Sequence, residues 1–427
     1  MSVDRLACRR AIEAVRAGVP NRDAVRALGC SQPHIEEKFH QGLRDCQELT
    51  EQGKQARGLL VGGDFGTGKS HLLEHLHHLA LERNFVSSKV VISKETPLYD
   101  STKFYRAAID AAVVPDRQGG ALREIAQTLD SSAGYVPFYQ RVTSDASGLD
   151  SRFAATLFVY ENVRTREFDL RDRVISFWSG RKLNVSEMRK YLRQLGESAT
   201  YRLGKITEKE LAYHRFRFAS QLMVAAGYSG WVLLVDEVEL IGRYSLLQRA
   251  RSYAELARWM GVLREDEICP SLFTVLAITS DFVAEVIERK NDRENVCARL
   301  SARGLPDDLL QAGEAEKGMR EIEKAAKLKR LERDQIEAVG DKLRGIYARA
   351  YQSNPLDAKL PCQALGSTPM RTYLRIWVNQ WDLQRLDPSY QPEIATTAME
   401  QHYTEDKDLE VPTEQNGDEG GAAAGAV

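Results

Sequence analysis

Apolar residues recur along this chain with two periods. Three- and four-residue spacing marks amphipathic helices over residues 2–18, 24–28 and 35–51. In the first of these, Leu6, Ile12 and Val15 sit among Arg5, Arg9, Arg10 and Arg16 until Gly18-Val19-Pro20 ends the pattern. Short unbroken apolar runs mark buried strands instead: Gly58-Leu59-Leu60-Val61, Lys89-Val90-Val91-Ile92-Ser93, Trp231-Val232-Leu233-Leu234-Val235 and Ser271 to Ile278. Lys327-Leu328-Lys329-Arg330-Leu331 is expected as a last strand. Helical periods return over 104–112, 121–129, 153–163, 185–195, 208–226, 244–260 and 334–351, and Pro369 opens a helix through Trp377.

A helix between consecutive strands implies right-handed crossovers and a parallel sheet, so the fold class is α/β. The expected organisation is a helical segment over 1–34, one half of a core over 35–94, a mostly helical insertion over 95–228, the second half over 229–331 and a helical unit over 332–400. From about Thr404 the chain is acidic, then Gly/Ala-rich, and 401–427 is expected to be disordered.

The first strand runs into Gly62-Gly63-Asp64-Phe65-Gly66-Thr67-Gly68-Lys69-Ser70 and then a helix beginning His71-Leu72-Leu73. Glycines permit positive φ, so backbone N–H groups gather into a nest, and the helix N-terminus adds partial positive charge. That is a polyphosphate site with GxxxxGK[ST] spacing. Gly63, Asp64, Phe65, Gly66, Thr67, Gly68, Lys69, Ser70 and His71 are expected to line it. Lys69 would reach the β and γ phosphates of ATP, and the Ser70 hydroxyl would bind Mg²⁺.

The third strand ends in Asp236-Glu237, four apolar residues before two carboxylates. Asp236 at the carboxyl end of a strand suits the Mg²⁺ hydration shell, and Glu237 suits the attacking water. Thr279-Ser280, closing the fourth strand, offers a hydroxyl to the γ-phosphate or that water. His71-Leu72-Leu73-Glu74-His75 also fits HxxEH, a zinc-peptidase pattern, but the same helix must start at the phosphate loop and no downstream acidic ligand is evident.

Charge narrows the picture only locally. The net charge is −2, yet residues 164–217 hold 14 Lys+Arg against 7 Asp+Glu, interleaved with Phe168, Phe177, Trp178, Tyr191, Tyr201, Tyr213 and Phe216. Such a stretch suits a duplex-DNA backbone; the competing reading is a solvated helical face whose aromatics are core. Six scattered cysteines without a CxxC pair point to a reducing cytoplasm. Neither a secretory leader in Met1-Ser2-Val3-Asp4-Arg5 nor a run of about 20 apolar residues is present, so a protein without membrane attachment is expected.

The order of these motifs over roughly residues 35–390 resembles the P-loop AAA+ ATPases, closest to the branch of origin-recognition and replication-initiator proteins. The resemblance implies that residues 332–400 form a helical lid and that Arg371 contacts nucleotide from it. It also implies a homo-oligomer in which Arg299, in Ala298-Arg299-Leu300, or alternatively Arg303, reaches the neighbouring subunit's nucleotide. Ala17-Gly18-Val19-Pro20-Asn21-Arg22-Asp23-Ala24-Val25, Gly66 to Leu73 and Trp377-Val378-Asn379-Gln380-Trp381-Asp382-Leu383 together resemble the ATP-binding proteins of bacteriophage-exclusion (BREX) defence, and the length suits the smaller, BrxD-like members. That resemblance implies an ATPase working beside a methyltransferase, a phosphatase-like protein and a helicase. The alternative function is an ATP-binding switch or scaffold that hardly hydrolyses.

Overall fold

The computed structural model describes residues 3–18, 22–115, 120–129, 132–144, 147–163, 167–263, 269–304, 306–355, 370–390 and 402–409. Six strands, β1 Leu59–Gly62, β2 Val86–Val91, β3 Ala112–Val113, β4 Trp231–Asp236, β5 Leu272–Ile278 and β6 Ala326–Lys327, form one sheet in the order β3-β2-β4-β5-β1-β6. Every pairing is parallel except the short β2–β3 ladder at one edge.

Two expected strands shift. β2 starts at Val86, because Val86 to Val91 pair with Trp231 to Asp236 and the expected end, Ile92 and Ser93, lies past that ladder. β6 is two residues long and lies before most of the expected 327–331 run. Its extension is cut off because the Lys329 backbone N–H and C=O are taken by the Gln32 side chain, at 3.0 and 2.7 Å.

Alternation along the strands sends side chains to two buried faces, as a parallel sheet with covered faces requires. Val61, Val232, Leu234, Val275 and Ala277 pack against α3 Pro33–Glu51 and α4 Lys69–Glu82. Leu60, Leu233, Val235, Leu276 and Ile278 face the opposite layer. That layer holds the helices between β2 and β4: α5 Ser101–Asp110, α6 Ala121–Leu129, α7 Tyr135–Thr143, α8 Ser151–Val163, α9 Phe168–Trp178, α10 Val185–Gln194 and α11 Glu208–Ala225. Its core is continuous with the sheet's: Phe216 of α11 stacks on Trp231 of β4 (centroids 5.4 Å apart) and packs at a tilt against Trp259 (4.4 Å).

α12 Leu246–Trp259, α13 Asp292–Ser301 and α14 Pro306–Glu323 complete this side. α14 crosses α12 so closely that a Cβ at Gly318 would overlap the Tyr253 carbonyl.

A second apolar cluster lies apart from the sheet. α1 Val3–Ala17 and α2 Arg22–Leu28 pack with α15 Arg333–Tyr351 and α16 Met370–Leu386 through Ile12, Val15, Leu28, Leu343, Tyr347, Trp377 and Trp381. The first helices are therefore built into the same unit as the last ones. The α1 arginines hold this unit together: Arg9 donates to the Ala350 carbonyl at the end of α15 (3.1 Å), and Arg16 to Asp382 of α16 (2.7 Å). Such cations at a helix C-terminus are favourable.

Residues 402–409, expected to be disordered, are instead placed against the sheet's end, with Tyr403 buried. An apolar ring with room to bury and carboxylates opposite Arg243 and Arg249 offset the low hydropathy of this stretch. The rest of the tail, and the Thr368-Pro369 start expected for the last helix, lie outside the described residues.

Candidate nucleotide site

The ends of β1, β5 and β4 lie side by side because β5 sits between the other two. The glycine-rich loop, Thr279-Ser280 and Asp236-Glu237 thereby follow the carboxyl ends of three neighbouring strands. Gly66 and Gly68 have φ of +76° and +101°, conformations that a side chain would strain. A Cβ at Gly68 would meet nothing within 4 Å, whereas one at Gly63 would fall 2.7 Å from both Leu328 Cδ1 and Thr67 Oγ1. One glycine thus keeps a cradle open, and the other lets its wall pack.

Phe65, Gly66, Thr67, Gly68, Lys69, Ser70 and His71 line a single cleft with Asp236 and Glu237. Its far wall comes from the helical unit: Val15 and Gly18, Leu28, Val339, and Met370, Arg371 and Leu374. Polar groups occupy the loop end and apolar side chains the other. A ligand with an anionic chain and a flat apolar ring suits that division.

Individual side chains have specific partners. Lys69, buried, donates to the Gly63 carbonyl at 3.0 Å and lies 3.4 Å from Glu239. Glu239 carries no signal in the sequence beyond its place two residues after Glu237. It is 3% exposed, its Oε2 has no partner among the described residues, and burial pushes its carboxyl up to about 7 against the pull of Lys69. Glu237 has φ of +60°, rare for a side-chain-bearing residue. Desolvation, then the neighbouring Asp236, raise its pKa, while Lys69 and Arg371 oppose the rise.

Asp64 stands outside the cleft lining. It accepts from Ser280 and from Arg330 at 2.6 Å, and these bonds hold its carboxyl below the usual range. Thr279 is buried and bonded to Tyr403 at 2.6 Å. Neither Thr279 nor Ser280 lines the cleft, so the two hydroxyls are spent on protein groups. Arg371 lines the cleft and donates to the Gly18 carbonyl. His71, 2.7 Å from the Gly29 carbonyl, ties the loop helix to the end of α2.

Arg299 is exposed on α13 and Arg303 pairs with Asp308 at 3.1 Å; neither lines the cleft. Of the aromatics expected to accompany basic residues, Phe177, Trp178 and Phe216 are buried, and Tyr191, Tyr201 and Tyr213 pack on the same core. Phe168 is exposed. For the described part of 164–217 the aromatics are therefore mostly packing.

The HxxEH residues go separate ways. Glu74 pairs with Lys89, His75 lies 3.3 Å from Glu36, and His71 bonds Gly29. For a divalent cation the suitable donors are the Ser70 hydroxyl and the Asp236 carboxylate, hard oxygen ligands on the same cleft wall. One Asp236 oxygen accepts from the Glu237 N–H at 3.0 Å, which fixes the carboxylate's orientation.

Comparison with known proteins gives one match. A family model described as BREX system ATP-binding protein BrxC/D matches residues 4–368, from α1 through the whole sheet. No curated protein and no solved structure matches the chain. Among the described residues, no helix is long and apolar enough to cross a membrane.

Proposed function

The chain belongs to the family of BREX system ATP-binding proteins BrxC/D, and from that premise we propose that it is an AAA+-type ATPase which couples Mg-ATP binding and hydrolysis to a conformational change on DNA or a partner protein. The observation that carries this reading is the cleft itself. It brings a glycine-rich nest with Lys69 and Ser70, the Asp236-Glu237 pair and Arg371 of α16 to one cavity from three separate parts of the chain.

In this reading the nest and Lys69 hold the phosphates, and Ser70 and Asp236 hold Mg²⁺, which neutralises charge on the transferred phosphoryl group. Glu237 orients water. Phosphoryl transfer is mostly positioning and electrostatics, so the protein's task is to keep these groups aligned. Arg371, across the cleft from Glu237, links nucleotide to the lid, and lid movement is the conformational output. Arg299, exposed and outside the cleft, would serve a neighbouring subunit of a homo-oligomer.

The proposed partners are other components of the defence system, with the methyltransferase, phosphatase-like protein and helicase as first candidates, in the cytoplasm. The basic stretch within 164–217 would follow duplex DNA by charge alone. A second reading, an ATP-binding switch with little hydrolysis, is favoured by one observation: the Thr279 and Ser280 hydroxyls are both engaged by protein.

Phosphate release from ATP and Mg²⁺, with and without duplex DNA, tests the proposal. DNA stimulation that disappears as salt rises supports coupling through phosphate contacts. Tight ATP binding without release under any condition would move the function to the switch.

A further inference from the structure

Residues 402–409 end at the sensor end of β5, behind the catalytic pair. Tyr403, His402 and Thr404 border a cavity that Glu237 and Glu239 also line. The Tyr403 ring packs edge-on against Phe282, with centroids 6.1 Å apart, over Gly242, where a Cβ would lie 2.8 Å from the ring. Its carbonyl accepts from Lys290 at 2.6 Å. Glu405 pairs with Arg249 at 2.7 Å, and Asp406 pairs with Arg243 while its N–H donates to the Arg243 carbonyl at 3.0 Å.

Proton counting decides what this contact does. The Tyr403 hydroxyl lies 2.9 Å from Asp281 Oδ1 and 2.6 Å from Thr279 Oγ1. A carboxylate only accepts, so the single tyrosine proton goes to Asp281, and the bond between the two hydroxyls is donated by Thr279. Thr279 also has one proton. With Tyr403 seated, that proton is directed at the tail and is not available to a γ-phosphate or a water.

We propose that residues 402–409 are a strap that restrains hydrolysis, with Tyr403 a positioning residue that holds the Thr279 hydroxyl out of the reaction until the strap lifts. The inference rests on the ATPase reading above. The buried ring fixes the strap's place, and the ion pairs with Arg243 and Arg249, partly exposed, make a seat that can be released.

Steady-state phosphate release by the full chain tests it, using Tyr403→Phe, which keeps the ring and removes the hydroxyl. The expected result is a kcat raised roughly 3–10-fold, the size of one freed hydrogen bond, with the KM for ATP little changed. Thr279→Val combined with Tyr403→Phe should show no gain over Thr279→Val alone. Should Tyr403→Phe fail to fold, the pair Glu405→Lys and Asp406→Lys, which unseats the strap by charge reversal, must raise kcat in the same way.

A folded variant with unchanged or lowered kcat, beside a wild type that hydrolyses, overturns the strap and leaves the ATPase reading intact. If wild type and all variants bind ATP and none hydrolyses it, the ATPase reading fails and takes the strap with it.

Discussion

One wall of the cleft is made mainly of backbone, and the other of side chains borrowed from distant segments. The loop wall runs continuously from β1 through Gly63, Gly66 and Gly68 into α4, and its shape follows from φ angles and from how close Leu328 and Thr67 come. The opposite wall is made of side chains from the helical unit, among them Arg371, which donates to the Gly18 carbonyl. A wall fixed by backbone is ready before ligand arrives. A wall fixed by exchangeable hydrogen bonds can change partners.

Variants that separate the two walls follow in order of size. Lys69→Ala strikes the backbone wall at its one buried cation, and kcat/KM for ATP should fall at least about 100-fold. It also strands the Glu239 carboxylate, which should then take up a proton, so the melting temperature should drop more at pH 8 than at pH 6. Equal drops at both pH values would detach Glu239 from Lys69.

Gly68→Val comes next, because a β-branched residue at φ of +101° costs about 1–3 kcal/mol of strain. Denaturant unfolding should show that loss, and ATP affinity should fall with it. An unchanged midpoint would mean that the loop relaxes freely and is not a preformed cradle.

Glu239→Gln probes the join between the walls. The folded Glu239 carboxyl titrates near 7, above its ordinary value, so the folded state binds more protons than the unfolded one between about pH 4.5 and 7. That contribution is present in full below pH 4.5 and is lost as pH rises through 7. Glutamine removes the titration, so the variant should gain on wild type by roughly 2–3 kcal/mol between pH 5 and pH 8. Parallel stability curves for the two proteins would contradict the burial argument.

The smallest effect is expected at the exchangeable wall. Arg371→Ala removes one exposed donor, and ATP affinity should weaken about 3–10-fold without a change in melting temperature. A large loss of stability instead would make Arg371 a structural staple of α1 and α16.

This difference also governs what the sequence makes legible. Local patterns carry the strands β1, β4 and β5, the glycine loop and Asp236-Glu237, because each is set by neighbours a few residues away. α9 was missed although Leu170, Val174, Phe177 and Trp178 keep helical spacing, since charges dominate the stretch. Glu239 has no motif of its own; only its burial beside Lys69 distinguishes it. The packing of α1 on α15 and α16, and the seat of Tyr403, come from contacts across more than a hundred residues, and no window along the chain contains both partners. Arg9 and Arg16 of α1 staple helices through the Ala350 carbonyl and Asp382, partners equally far along the chain.

The central claim is that Glu237 acts on water at a cleft that binds ATP independently of it. Equilibrium ATP binding and phosphate release should be measured side by side for wild type and Glu237→Gln, with Mg²⁺ present. The account predicts ATP affinity within about threefold of wild type and turnover reduced roughly 100-fold or more. Equal turnover in the two proteins would contradict it.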